Sequence, residues 1–365
     1  MRTSVAAVPD LEPWLRGRLG EPDLKIVDVA PFGDGHSGFT YLVRMAGSRA
    51  QGEYVMRLSP PGARILANAD VGRQGRIMAA LHERGFPTPR VLLADSSGSL
   101  DGRAIAIMER IDGLAWERAV RQCGELRVME SAVSVLHRLA RIPIDSVGLA
   151  GETPSSIADD LDRWAQLLRR APEDLHADGE RLLAELQMRV PARVPPSLVH
   201  GDYHYGNLLF AAKDAEVVGV LDWEVSGLGD PRWDFGSLAV AAIRHKYADE
   251  PNPTGDLEGI SVTELTQTYG PMPGLDWFAA AACFKYTAIL GYNYGLHLRG
   301  RRPDPIYEQL QGTIHGLSLD GLDLLHALVP PRHRSTRVTE TVYRTVMDSD
   351  FSDDQDDNGD NMRSA

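Results

Sequence analysis

The apolar periodicity of the chain changes near residue 113, and this change constrains the fold more than any other feature. Before it, five short runs with β-type composition alternate with turns, at 24–30, 39–45, 53–59, 90–95 and 104–110. One helical segment, 70–85, interrupts them and ends at Gly85. After residue 113 the period is helical, with an exception at 216–222. The pattern predicts an α+β, bilobal fold: a small N-terminal lobe with a mixed β-sheet and one helix, then a larger, mainly helical C-terminal lobe.

The boundaries that follow are 1–112 for the first lobe, 113–345 for the second and 346–365 for an acidic tail. The 365 residues are 43% hydrophobic, which suffices for a sizeable core. Much of the net charge of −13 comes from residues 348–365, where seven Asp stand against one Arg. We expect this tail to be solvated and disordered. The rest carries no basic stripe, so no nucleic-acid partner is expected.

The cysteines and the N-terminal residues indicate the cellular compartment of the protein. Cys123 and Cys283 are far apart and lack the spacing of a disulfide framework or a zinc site. At the N-terminus, Pro, Asp and Glu occur before an apolar run long enough for a signal peptide can form. The most apolar later stretch, 277–292, is interrupted by Lys285. We therefore expect a cytoplasmic protein with no signal peptide and no membrane partner.

A polar cluster lies between two apolar runs in "LVHGDYHYGNLLF", residues 198–210. The strand "VVGVL" that follows ends at Asp222, so a hairpin would bring Asp202, Asn207 and Asp222 together. Mg²⁺ prefers hard oxygen ligands and takes one or two carboxylates from protein, so Asn207 and Asp222 can be its ligands. Asp202 is then left to accept a hydrogen bond from an attacking hydroxyl and aim it at a γ-phosphate. The alternative is that these groups only tie the hairpin to a neighbouring helix.

Three motifs, "HGDYHYGN", "LDWE" and "GDPRWD", resemble the aminoglycoside phosphotransferase and small-molecule kinase superfamily, which shares the protein-kinase fold. "SGFTYLVRM", "YVMRLSPPG" and "IMERIDG" resemble its subgroup of acyl-CoA dehydrogenase-associated domains, and the likeness covers residues 24–330. The resemblance implies a protein-kinase-like fold with Asp202 as catalytic base and Asn207 and Asp222 as metal ligands.

Three further residues are expected to support this site structurally. The resemblance implies that Asp234 accepts backbone N–H groups of the catalytic loop, although an Asp at a helix N-terminus would also be stabilised by the helix dipole alone. We expect His200 to be a buried, hydrogen-bonded histidine rather than a catalytic base. His204 fits either role.

The resemblance also implies that ATP or GTP lies between the lobes. The turn in "FGDGHSGFTYLV" contains Gly35 and Ser37, small residues that permit close approach of the backbone to phosphates. The connector would offer the backbone C=O of Glu109 and the N–H of Ile111 to the base.

One position departs from the kinase pattern. The chain has four lysines, Lys25, Lys213, Lys246 and Lys285, and none lies on a strand after the glycine-rich turn. Arg57 occupies the matching strand position and can bridge phosphates. Its usual helix glutamate is replaced by Gln74, which we expect to hydrogen-bond to Arg57 and contribute to nucleotide binding.

Three functions therefore compete. The first is a Mg²⁺-dependent phosphotransferase acting on a hydroxyl of a small molecule, either aminoglycoside-like or of hydroxy-acid or acyl type. The second is a catalytically degenerate, nucleotide-binding relative, which Gln74 suggests. A remote third is a two-metal phosphoesterase, because "DGH", "GDYH" and "GDPRWD" imitate fragments of such sites, although in the wrong order.

Overall fold

The N-terminal lobe is built on a five-stranded sheet. The computed structural model describes residues 11–32, 39–65, 70–149, 151–247 and 259–327. The strands are β1 (Lys25–Pro31), β2 (Phe39–Ala46), β3 (Gly52–Leu58), β4 (Val91–Leu100) and β5 (Arg103–Glu109), in the order β1-β2-β3-β5-β4. Each of the five β-type runs is confirmed as a strand.

Every pair in this sheet is antiparallel, so the predicted α+β fold is confirmed while its sheet is not mixed. Short connections account for two of the four antiparallel pairs. β2 and β3, like β4 and β5, are joined by links too short for the crossover that a parallel pair requires.

Two helices accompany the sheet. The predicted helix is α2 (Val71–His82), which packs against β4 and β5. The carboxylate of Asp70 caps it by accepting the backbone N–H of Arg73 at 2.9 Å. A second helix, α1 (Leu11–Leu19), was not predicted, and it buries Leu11 and Leu15 against the sheet lobe.

The C-terminal lobe is mainly helical, as predicted. Its helices among the described residues are α3 (Trp116–Cys123), α4 (Glu125–Ala140), α5 (Ile157–Leu168), α6 (His176–Met188), α7 (Arg232–Arg244), α8 (Val262–Tyr269), α9 (Leu275–Leu298), α10 (Ile306–Gln309) and α11 (Gln311–Ala327). The 24-residue α9 is buried along most of its length and packs against α5, α6, α7 and α11. A helix that is apolar on all sides belongs in the middle of a core.

Two short strand pairs lie between α6 and α7. β6 (Ser197–Val199) pairs with β9 (Gly227–Gly229), and β7 (Leu208–Phe210) pairs with β8 (Val217–Val220), all antiparallel. The β7-β8 pair is the predicted hairpin. Leu114 and Phe210 exchange backbone hydrogen bonds of 2.7 and 2.9 Å, which attach the connector between the lobes to this hairpin. The boundary predicted at residue 112 falls within the connector, and the predicted tail at 346–365 lies outside the described residues.

Across the described ranges, no helix combines the length and the apolar character that crossing a membrane would require.

Gly236 of α7 lies close against the backbone of α9 and provides a test of the packing. A Cβ added at Gly236 would lie 2.4 Å from the carbonyl oxygen of Phe278, so Gly236→Ala should force the helices apart and cost about 1 to 3 kcal/mol of unfolding free energy. Gly17→Ala on α1 is the matched control, because its Cβ meets nothing within 4 Å. That change should be neutral or stabilise by up to about 1 kcal/mol through helix propensity. Chemical denaturation measures both, and equal effects would show that α7 and α9 do not make this contact.

Candidate active site

A buried carboxylate at the start of α7 holds the loop 200–207, which the sequence predicts to be the catalytic loop. Asp234 is almost completely buried, and its two oxygens accept the backbone N–H groups of His200 and Gly201, each at 2.8 Å. Burial raises the pKa of Asp234 to about 7, against the opposing effect of these two hydrogen bonds and of the Lys285 charge. Gly201 has a φ of +81° and lies against the Val225 carbonyl, a position that favours glycine. The backbone immediately before Asp202 is therefore held by the hydrogen bonds to Asp234 and by the close contact with Val225.

His200 connects this loop to the residue before Asp222. Its ring is fully buried, and its Nε2–H donates to the carbonyl of Leu221 at 2.7 Å while Nδ1 accepts the N–H of Asp202 at 3.3 Å. Burial lowers the pKa of His200 to about 4, so the ring is neutral at pH 7. Both ring nitrogens are engaged by the backbone, so the neutral ring acts as a buried bridge between the two segments.

Asp202 is only partly buried, with about a third of its side chain exposed. Oδ1 accepts the hydroxyl of Tyr286 at 2.5 Å, and Nε2 of His204 lies 3.4 Å from Oδ2. Burial favours the neutral acid, but the contact with His204, the charge of Lys285 and the Tyr286 hydroxyl together hold the pKa of Asp202 well below its usual range. An ionised carboxylate in this position can accept a hydrogen bond from a hydroxyl.

Asn207 contacts Asp202 and is bonded to the residue before Asp222, so the hairpin links the three segments that carry these residues. The amide nitrogen of Asn207 donates to the backbone carbonyl of Asp202 at 2.9 Å, so its amide oxygen remains as the atom that can bind a cation. The Asn207 carbonyl accepts the N–H of Leu221 at 2.8 Å, which ties it to the segment that carries Asp222. Asp222 itself has a φ of +61°, in the left-handed region.

These two residues fit a magnesium site of the open kind. Both offer the hard oxygen atoms that Mg²⁺ prefers. The described part of the chain contains no group of three or more His, Cys, Asp or Glu that could hold a metal ion by itself. A site with two protein ligands suits an ion whose remaining ligands are phosphates and water.

Arg57 reaches from β3 to the same place. Its Nη1 lies 2.7 Å from Oδ1 of Asp222, and its Nη2 lies 3.4 Å from Oε2 of Glu224. These two carboxylates are its hydrogen-bond partners among the described residues, so the expected bond between Arg57 and Gln74 is not formed. Gln74 is buried on α2. The carboxylate that takes the place of the expected helix glutamate belongs to Glu224, which lies in the other lobe. Glu224 is the last residue of the motif "LDWE", two residues after Asp222, and no role was predicted for it.

Of the other residues predicted to contact the nucleotide, Glu109 and Ile111 lie within the described residues. Glu109 is the last residue of β5, and its backbone N–H donates to the carbonyl of Arg90 at 2.9 Å. The N–H of Ile111 has no hydrogen-bond partner among the described residues, so it can donate to the base of a nucleotide. Gly35 and Ser37 lie outside the described residues.

Two residues of α9 contact the catalytic loop and were missed by sequence reasoning. Lys285 is buried, and its Nζ donates to the carbonyl of Gly201 at 2.5 Å and lies 3.9 Å from Oδ1 of Asp202. Tyr286 is the hydroxyl donor to Asp202. The one available signal was a lysine inside an otherwise apolar helix.

A cavity of about 290 Å³ opens beside the catalytic loop. His204 and Tyr286, both in contact with Asp202, form one wall, and Trp116, Glu117 and Arg244 contribute to the others. A larger cavity, of about 460 Å³, lies between α5, α6 and the residues after β9, and none of the predicted site residues lines it. Of the two cavities, the smaller one therefore adjoins Asp202, through His204 and Tyr286.

Comparisons with known proteins agree with this geometry. A family model described as the phosphotransferase enzyme family matches residues 28–264. Acyl-CoA dehydrogenase family member 10 of Mus musculus is 31% identical over 336 residues, which are 85% of this chain and 30% of that protein. The chain thus spans less than a third of that curated relative's length.

Two solved structures show the same fold. An aminoglycoside-phosphotransferase-like protein of Ralstonia eutropha superposes with a TM-score of 0.70 at 22% identity, covering 87% of this chain and 97% of that one. The GDP complex of aminoglycoside 2'-phosphotransferase-IIIa gives a TM-score of 0.60 at 16% identity, covering 86% and 99%. Since the family model extends over more than half of the sequence, the chain belongs to the phosphotransferase enzyme family.

Proposed function

We propose that this chain is a Mg²⁺-dependent kinase that transfers the γ-phosphate of ATP or GTP to a hydroxyl group of a small molecule. The observation that carries the proposal is the placement of the partly exposed Asp202 carboxylate against Asn207, whose backbone is in turn bonded to Leu221, the residue before Asp222. The same fold accommodates GDP in one of the solved structures above, which supports a purine nucleotide between the lobes.

Each residue then has a task. Asn207 and Asp222 would hold Mg²⁺, which neutralises phosphate charge and orients the terminal phosphate. Arg57, steadied by Glu224, would pair with phosphate oxygens, for which its planar guanidinium is suited. Glu109 and Ile111 would bind the base edge, and Gly35 and Ser37 the phosphates.

Asp202 directs the chemical step. It accepts a hydrogen bond from the acceptor hydroxyl and aims the oxygen at the γ-phosphorus. The new P–O bond forms as the bond to the bridging oxygen of the nucleoside diphosphate breaks, and the hydroxyl proton passes to Asp202. The other residues position these atoms.

The acceptor is a small molecule on this proposal. β8 ends at Val220 and α7 begins at Arg232, which leaves no room for the long segment on which protein substrates of kinases dock. The adjacent cavity presents both Glu117 and Arg244, so an aminoglycoside-like acceptor and a hydroxy-acid or acyl-type acceptor each meet an opposite charge.

Cys123 and Cys283 are both free thiols, which supports a reducing, cytoplasmic location.

The two alternatives have less support. Degeneracy was suggested by the glutamine in place of a helix glutamate, but Glu224 supplies a carboxylate to Arg57. A two-metal phosphoesterase would need free carboxylates in "GDPRWD". There Asp230 pairs with Arg232 at 2.6 Å, and Asp234 accepts two backbone N–H groups.

Removing the proposed base tests the reaction. Asp202→Asn should lower kcat by about 10² to 10⁴-fold, because the amide cannot take the hydroxyl proton. Nucleotide affinity should stay within about threefold, since the base contacts the hydroxyl and not the triphosphate. A coupled assay for nucleoside diphosphate and calorimetry measure the two quantities, with Asp323→Asn on the exposed face of α11 as control. Nearly unchanged turnover with lost nucleotide binding would contradict the role given to Asp202.

Removing the proposed phosphate-binding cation tests the sheet lobe. Arg57→Ala should weaken Mg²⁺-nucleotide binding by about 10 to 100-fold, as expected for loss of a charge-assisted contact. Arg44→Ala is the control, because Arg44 is an exposed arginine of β2 that pairs with Glu53 at 3.0 Å. If Arg57→Ala binds the nucleotide as tightly as the parent protein, Arg57 is not the phosphate-holding cation.

A further inference from the structure

Lys285 is a buried cation that the proposed reaction does not use. It lies in the middle of α9 and is 5% exposed, an unusual environment for a lysine. Its Nζ donates to the Gly201 carbonyl at 2.5 Å and to the Ser237 hydroxyl at 3.3 Å. A buried ammonium group is costly unless it is paired and hydrogen-bonded, and both of these bonds are made to the catalytic loop or to the helix that braces it.

The charged groups around Lys285 come from three elements. Asp202 on the catalytic loop, Asp234 on α7 and Asp160 on α5 act on it as anions, and Arg163 on α5 opposes them. Of these carboxylates, Asp202 lies within ion-pair distance, with its Oδ1 3.9 Å from Nζ of Lys285. Burial lowers the pKa of Lys285, while the three carboxylates act to raise it.

Tyr286, the next residue of α9, is also buried, and its hydroxyl donates to Oδ1 of Asp202 at 2.5 Å. A carboxylate held through one oxygen by a rigid donor keeps a single orientation. The other oxygen, Oδ2, lies 3.4 Å from Nε2 of His204, which lines the cavity, and 3.4 Å from the amide nitrogen of Asn207, so it is the oxygen on the side of the acceptor.

We propose that Lys285 and Tyr286 are positioning residues for Asp202: Lys285 holds the loop through the Gly201 carbonyl and balances its charge, and Tyr286 fixes the carboxylate so that Oδ2 faces the acceptor. This inference rests on the proposed kinase function. A contribution confined to helix packing is the competing explanation, and it predicts loss of stability without a selective loss of turnover.

The chain contains a matched control for this pair. Lys246 and Tyr247 are likewise consecutive, and both donate to one carboxylate, that of Asp320, with the Tyr247 hydroxyl at 2.5 Å. None of these three residues lines the cavity beside Asp202. Tyr247→Phe therefore removes the same kind of hydrogen bond from a carboxylate other than Asp202, outside that cavity.

The test compares Tyr286→Phe with Tyr247→Phe in the full chain. Tyr286→Phe should lower kcat at saturating acceptor by about tenfold to a hundredfold, as for a displaced reacting group, and leave the nucleotide KM within about twofold. Tyr247→Phe should leave kcat within about twofold of the parent, whatever its effect on Tm. Lys285→Met should lower kcat at least as far as Tyr286→Phe does. If Lys285→Met fails to fold, Tyr286→Phe alone decides.

A second readout does not depend on turnover. Hydrogen exchange of the amides of residues 200–207, measured in nucleotide-free protein, should be faster in Tyr286→Phe than in the parent and unchanged in Tyr247→Phe. Equal kcat in Tyr286→Phe and the parent, or equal losses in the two variants, would overturn the inference. If the parent itself shows no phosphoryl transfer, the proposed function fails, and the exchange result alone supports or overturns the positioning role.

Discussion

The two hydrogen bonds from the backbone of His200 and Gly201 to the buried carboxylate of Asp234 are the interaction on which the site depends. Asp234 stands in the first turn of α7, and α7 packs closely on α9 at Gly236. The position of the catalytic loop is therefore set by the packing of two buried helices. His200 extends the same arrangement through its ring to Leu221, and so to the start of the segment that carries Asp222.

Ion pairs and hydrogen bonds join this helical scaffold to the sheet lobe. Arg57 of β3 contacts Asp222 and Glu224, and Arg73 of α2 donates to the Ser226 carbonyl at 3.1 Å. The residue proposed to bind phosphate and a residue proposed to bind Mg²⁺ are thus already in contact. On the proposed function, Mg²⁺ would compete with Arg57 for Asp222 and phosphate would compete with Asp222 for Arg57, while Glu224 would remain available to pair with Arg57.

Local patterns in the sequence were sufficient for much of this description. The five strands, α2, the β7-β8 hairpin and the grouping of Asp202, Asn207 and Asp222 follow from period-2 runs and from closely spaced polar residues. The partner of Arg57 did not follow, because a helix glutamate was expected where the pairing crosses between lobes over 167 residues. Lys285 and Tyr286 were missed for a related reason: they lie 84 residues beyond the groups they contact, in a helix whose apolar composition indicates core. Contacts of this kind are fixed by tertiary packing and leave no periodic signal.

The central claim is that the scaffold arranges Asn207, Asp222 and Arg57 to bind a metal-nucleotide complex. Calorimetric titration of a nonhydrolysable ATP or GTP analogue, with Mg²⁺ and with a chelator, tests it most directly. The account predicts binding at least about tenfold tighter with Mg²⁺ in the parent chain, and loss of that difference in Asp222→Asn, where a charge is removed from the metal site. Equal affinity of the parent chain with Mg²⁺ and with the chelator would contradict it.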